Sequence, residues 1–172
     1  MACIMCSGRL WRKLGYSGPE RSSVPEHFVP GISLGSWAAK TFTDQGRDLV
    51  VALDTRTYLT LLFPLAPTRQ FHANFTSALV DALQDVGVPP AIVRIESLAV
   101  EFAPLVPLRN RQLTDSLNHV WSFSDIEFCY HHDLRTIQRN LNDLPHPNRD
   151  PCVPVEAVRR LFRESTATSC LN

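Results

Sequence analysis

The sequence has no run approaching the ~20 consecutive apolar residues that a membrane helix needs, so a chain that does not enter a membrane is expected. It has no net charge: Lys and Arg total 17, and Asp and Glu also total 17. That balance argues against a non-specific DNA coat, which needs a basic surface to displace counterions, although it leaves room for a local basic patch. The familiar catalytic signatures are missing as well. There is no Gly-x-x-x-x-Gly-Lys, no Gly-x-Gly-x-x-Gly, no Gly-x-Ser-x-Gly and no His-Glu-x-x-His, so no phosphate cradle, dinucleotide turn, nucleophile elbow or zinc-protease helix can be read from spacing. Internal repeats and low-complexity segments are lacking too. The opening, Met1 to Gly8, lacks the charged start and the 7–15-residue apolar run of a secretory signal. A cytoplasmic, reducing setting is therefore expected, with Cys3, Cys6, Cys129, Cys152 and Cys170 as thiols and the sequon at Asn74-Phe75-Thr76 silent.

What is present suits a single domain over 1–172. A chain of 172 residues can bury about 70% of its unfolded surface, so it needs neither a metal nor a disulfide to fold. Its 13 prolines gather in connections. Residues 2–6 read as a short strand, and Ser7 can open a short helix that Gly15 stops. Residues 16–35, with Pro19, Pro25 and Pro30, read as an irregular connection; one of that length is uncommon and often functional. Residues 36–63 read as an antiparallel meander. Its strands are Trp37–Phe42, Leu49–Leu53 and Tyr58–Phe63, joined by turns at Asp44-Gln45-Gly46 and Asp54-Thr55-Arg56. The second and third strands do not alternate, as expected when both faces are buried. Over 68–86, Phe71, Phe75, Ala78, Leu79, Ala82, Leu83 and Val86 form one helical stripe, Thr68 can cap it and Gly87 ends it. After Pro89-Pro90 the pattern is ambiguous, and Val100-Glu101-Phe102 reads as a further strand. Helices are expected over 113–130, 134–144 and 154–164, and residues 165–172 as a frayed tail. The fold class is thus α+β: a small antiparallel or mixed sheet packed by helix 68–86 on one face, with the C-terminal helices closing the other.

Several groups of residues could carry chemistry. Cys3 and Cys6 have redox or metal spacing, but a zinc site needs four ligands, and the only complements are Cys129, His131 and His132. The plain alternative is two small core thiols and a helix end, so no metal and no cofactor is expected. Arg9, Arg12 and Lys13 beside Trp11, and Arg159, Arg160 and Arg163 on the last helix, could hold phosphates. Charge runs this short are usually a solvated helix face, and Glu156 and Glu164 dilute the second cluster. Arg109, Asn110 and Arg111 follow the proline-bounded stretch 104–107 and directly precede a helix, with Asn118 seven residues beyond Arg111 on the same side. They could bind an anion, or they could cap the helix and pair with carboxylates.

The order of these motifs resembles an uncharacterised bacterial family, a domain of unknown function numbered 6933. The resemblance rests on Leu34-Gly35-Ser36-Trp37-Ala38-Ala39, then Leu49-Val50-Val51 with Thr55-Arg56-Thr57, then Asn110-Arg111 with Ser116-Leu117-Asn118. It extends to the opening, Cys6 to Leu14, and to Asn140-Leu141-Asn142-Asp143-Leu144-Pro145 before a closing helix, and so spans nearly the whole chain. Gln112, Asp115 and His119 stand where the family pattern has Ser, Gly and Asp, and Lys40 stands where it has Asn. The resemblance implies a bacterial or mobile-element origin and no assigned reaction.

Together these observations point to a non-enzymatic binding or interaction module with Trp37, Arg109, Asn110, Arg111 and Asn118 as its contact surface. The partner would be a protein or an anionic ligand. Two alternatives stand beside it. One is an enzyme acting on a phosphorylated ligand or nucleic acid, with Arg109 and Arg111 clamping phosphate and His119 or His131 as general acid or base. The other is a toxin–antitoxin or phage-defence partner.

Overall fold

A computed structural model describes residues 3–17, 34–146 and 153–169 of the chain. It contains a five-stranded mixed sheet with helices on both faces, an α+β arrangement. The elements are β1 (Ile4–Cys6), α1 (Gly8–Lys13), β2 (Trp37–Asp44), β3 (Arg47–Asp54), β4 (Thr60–Pro64), α2 (Phe71–Val86), α3 (Pro90–Glu101), β5 (Leu105–Pro107), α4 (Arg111–Tyr130), α5 (Leu134–Asp143) and α6 (Pro154–Ser169). The sheet order is β4-β3-β2-β1-β5. β1 runs parallel to both its neighbours, and β2, β3 and β4 form the expected antiparallel meander. Among the described residues, no helix is long and apolar enough to cross a membrane.

Local chemistry sets the hairpin. Gln45 and Gly46 both have positive φ, 44° and 78°, the backbone that a two-residue turn needs to match strand twist. That turn fixes Asp44 opposite Arg47 and so the register of the whole β2–β3 pair. The register sends Val50 and Ala52 to one core, and Leu49, Val51 and Leu53 to the other. The first core lies under α2, where Phe71, Phe75, Leu79 and Leu83 are buried. Burying each such side chain contributes about 1.5–3 kcal/mol. The second core lies under α4 and α5, through Leu113, Leu117, Val120, Ile137 and Leu141.

The two sheet edges are protected differently. On the outer side of β4, Asn142 Oδ1 accepts from the Thr60 N–H at 2.7 Å and its Nδ2 donates to the Thr60 carbonyl at 2.9 Å. Gln138 Oε1 accepts from the Leu62 N–H at 2.8 Å, and its Nε2 donates to Ala78 O at 3.2 Å. Two buried amide side chains of α5 therefore stand in for a missing neighbour strand. At the opposite edge, β5 is three residues long and ends in Pro107, which has no N–H to offer.

Four expectations need correction. Val100-Glu101-Phe102 is the end of α3 rather than a strand; Val93, Glu96 and Val100 are buried at helical steps, and Phe102 is exposed. The strand instead follows at Leu105–Pro107, too short to show a period. Thr68 opens a 3₁₀ turn, and α2 itself starts at Phe71. The last helix does not lie on the α4 face alone: it touches α5, but Val158 and Phe162 lie in the core on the α2 side. It also continues to Ser169, so residues 165–169 are helical rather than a frayed tail. Of the irregular connection expected over 16–35, residues 18–33 lie outside the described residues, as do 170–172.

Candidate functional site

β1 and β5 end side by side and send the chain to opposite faces. Beyond Cys6 the chain enters α1, whose Leu10 and Trp11 pack in the first core. Beyond Pro107 it enters α4, which packs on the second. Ligands of open sheets favour the crevice at the carboxyl ends of strands where successive connections diverge. Cys6 pairs in register with Ala39 on one side and Pro107 on the other. The next positions along the three strands are Ser7, Lys40 and Leu108. The Ser7 N–H donates to Ala39 O at 2.9 Å, the Leu108 N–H donates to Cys6 O at 2.7 Å, and the Ser7 hydroxyl is buried without a hydrogen-bond partner among the described residues.

Polar and basic groups, termed the ledge, lie on the neighbouring strand β2 and where α4 begins. Asn110 caps α4, its Oδ1 accepting from the Leu113 N–H at 3.2 Å. Arg111 is 96% exposed and lies 3.9 Å from Asp115 one turn on, an ion pair of little energetic consequence at such exposure. Arg109 is exposed and has no ion-pair partner among the described residues. Lys40 projects from β2 toward α4, where its ammonium donates to Asn118 Oδ1 and sits 5.1 Å over the Phe42 ring. Phe42 in turn stacks on Trp121 at 4.3 Å, so the Lys40 ammonium lies over a ring held by a stacked partner. The partner of Lys40 is a neutral amide, which leaves its positive charge uncompensated.

A family model described as Domain of unknown function (DUF6933) matches residues 3–157. The chain belongs to the DUF6933 family. No curated protein matches it.

In this DUF6933 member the motif residues fall into two groups. Asn118 meets Lys40 midway along β2, and Asn110 and Arg111 lie at the start of the same helix. Gly35 and the turn 54–57 meet at the Trp37 end of the strand around Asp54, whose side chain is fully buried. Asp54 Oδ1 accepts from the Gly35 N–H at 2.8 Å, and its Oδ2 accepts from the Arg56 N–H at 3.2 Å and from the Thr57 N–H and hydroxyl at 2.7 Å each. Burial pushes the Asp54 carboxyl above the ordinary range, against the downward pull of these donors. A Cβ on Gly35 would come within 2.7 Å of Arg56 Cγ and 2.8 Å of Thr55 Oγ1, which explains the glycine. Just past the turn, Tyr58 holds a left-handed φ of 61°, strained for a bulky residue.

Trp37 is the one member of the expected contact surface that the structure removes. It is fully buried, edge-on to Phe75 at 5.2 Å, and its indole N–H has no partner among the described residues. The cysteine and histidine candidates are also dispersed. Cys6 is buried on β1, and that burial, with the charge of Cys3 second, pushes its thiol up to about 12; a thiol held protonated is a poor nucleophile. Cys129 lies exposed near the far end of α4, and His131 follows that helix, 3.7 Å from Glu127. A helix of 20 residues is about 30 Å long, so His131 stands far from Arg111. Among the described residues, no three His, Cys, Asp or Glu side chains gather to hold a metal. His119 is nearer the ledge but is occupied edge-on with Phe123 at 4.8 Å.

The first basic cluster clasps α1 to the β2–β3 hairpin. Arg9 Nη2 donates to Thr43 Oγ1 at 3.0 Å, Arg12 Nε donates to Gly8 O at 3.2 Å, and Lys13 pairs with Asp48. Lys40 and Ser7, which directly follow the paired Ala39 and Cys6, do not stand out as candidates in the sequence. Lys40 carried a signal: it is the one charged residue between Trp37 and Thr43, in an otherwise apolar strand start.

Proposed function

We propose that this chain is a non-catalytic binding module whose contact surface is the ledge where β1 and β5 end beside the middle of β2. The group it recognises is anionic, carried by a ligand or a partner protein. The observation that supports this most directly is the uncompensated charge of Lys40, held over a stacked ring and pointed at an amide. Proteins normally pair a fixed cation with a carboxylate. A lysine held against Asn118 can exchange that weak neutral partner for a phosphoryl or carboxyl oxygen. Asn118 offers an amide donor beside it, and Arg109 and Arg111 lie exposed where the same helix begins. The three free thiols among the described residues fit the reducing, cytoplasmic setting expected from the sequence. The enzyme reading has less support, because neither His119 nor His131 stands beside a nucleophile or a bridging carboxylate within the ledge.

Titration with inorganic pyrophosphate, followed by amide chemical shifts, tests the proposal. Saturable shifts at Ser7, Gly8, Lys40 and the first turn of α4 are expected, weakening as salt is added. If those amides stay still while others move, the ledge is not the contact surface.

A further inference from the structure

On the opposite side of the sheet from α4, the turn between α2 and α3 meets α6 around a cleft of about 180 Å³. Val86, Val88, Ile92 and Phe162 form its apolar lining, and its charged lining groups among the described residues are Arg159 and Arg163. The local backbone explains the shape. Gly87 takes the left-handed conformation at the end of α2, with φ 85°, and Pro89-Pro90 begins α3 immediately afterwards. The chain thus turns sharply and leaves a notch that α6 roofs. Arg159 Nε donates to the last α2 carbonyl, Val86 O, at 3.2 Å. That bond neutralises the negative end of the α2 dipole and fixes the guanidinium at the cleft. The amino end of α3 opens on the same space through Pro89 and Ile92, adding the positive end of a second dipole.

We propose that this cleft binds a small apolar carboxylate, with the carboxyl on Arg159 and an apolar body of about one aromatic ring against Val88, Ile92 and Phe162. Size supports one ring, since an apolar cavity of roughly 150 Å³ accommodates benzene. Charge supports a carboxylate, since the Arg159 guanidinium, anchored through Nε to Val86 O, lines the space, and guanidinium matches a carboxylate in a two-bond fork. The site is separate from the ledge and does not depend on it.

The test is an amide-shift titration of the full chain with sodium phenylacetate, compared with 2-phenylethanol and with sodium acetate at matched ionic strength. Phenylacetate should shift Gly87, Val88 and Ile92 saturably, with a Kd of about millimolar order for a ligand this small. The alcohol and acetate should each bind at least tenfold more weakly. Arg159→Gln should weaken phenylacetate about tenfold while leaving 2-phenylethanol unchanged, and Ile92→Trp, which fills the notch, should abolish both; the spectrum of each variant reports its fold. Equal affinity for the alcohol, an unchanged affinity in Arg159→Gln, or no saturable shift around Gly87 would overturn the proposal.

Discussion

The start and the middle of β2 treat charge in opposite ways. At the Trp37 end a buried carboxylate, Asp54, receives three backbone N–H groups and a hydroxyl. Midway along the strand Lys40 donates to one neutral amide oxygen. A charge surrounded by this many donors is committed to the fold, because removing it would orphan them all. A charge resting on one amide is available to something else. Residues that look alike as motif members in the sequence therefore separate into a structural group, Gly35 with 54–57, and a candidate contact group around Lys40 and Arg111.

The sharpest way to break this comparison is Asp54→Ala. It removes the acceptor of four hydrogen bonds inside the protein, each orphaned donor costing about 1–3 kcal/mol, so a loss of at least about 3 kcal/mol is expected in urea unfolding. A loss below 1 kcal/mol, roughly the level of an ordinary surface change, would show that the clamp is incidental. Next in size is Asn142→Ala on the β4 edge, which frees the Thr60 N–H and carbonyl together. We expect a cost of about 1–3 kcal/mol and faster amide exchange at Thr60; protected exchange there would mean that another group covers the edge.

Acid titration sharpens the contrast between carboxylates. Hydrogen bonds from Lys13, and next from Thr43, hold the Asp48 carboxyl below its usual range. Its contribution is present above the unfolded value, about 3.9, and is lost as pH falls through the lower folded value. Asp54 has the opposite sign. Its raised folded value favours the protonated form, so stability from this group falls as pH rises through the window above the ordinary carboxylate value. Asp48→Asn should flatten the acid limb of a urea-midpoint profile taken from about pH 2 to pH 6, and Asp54→Asn should flatten the decline above it. Matching profiles for the two variants would contradict these signs. The smallest expected effect on stability is that of Arg111→Ala: an unchanged unfolding midpoint with weaker pyrophosphate binding. A clear destabilisation would move Arg111 into the structural group.

Legibility followed sequence distance. The β2–β3 hairpin was readable because Gln45-Gly46 and the flanking apolar runs are local, and α2 because its stripe repeats over 16 residues. β5 was not, since a three-residue strand that ends in a proline carries no period. The side of the sheet taken by α6 was not readable either, since periodicity shows which face of a helix is apolar and not which layer it joins. The buried Gln138 and Asn142 look like ordinary polar positions on an amphipathic helix; only the β4 edge, 76 and 82 residues away in the two contacts, gives them a purpose. At the ledge, Arg109, Asn110, Arg111 and Asn118 stand out in the sequence because they cluster in the chain. Lys40, which meets Asn118 across 78 residues, was not joined to them, and Trp37 was included although its apolar neighbours mark a core strand.

Charge reversal at Lys40 tests the central claim most directly. In Lys40→Glu, pyrophosphate affinity measured by calorimetry should fall more than tenfold, while the unfolding midpoint stays near that of the parent chain, because the lysine answers to an amide and not to a buried acid. An unchanged affinity, or a loss of affinity only in step with unfolding, would contradict the claim that this part of the sheet is held open for an anion.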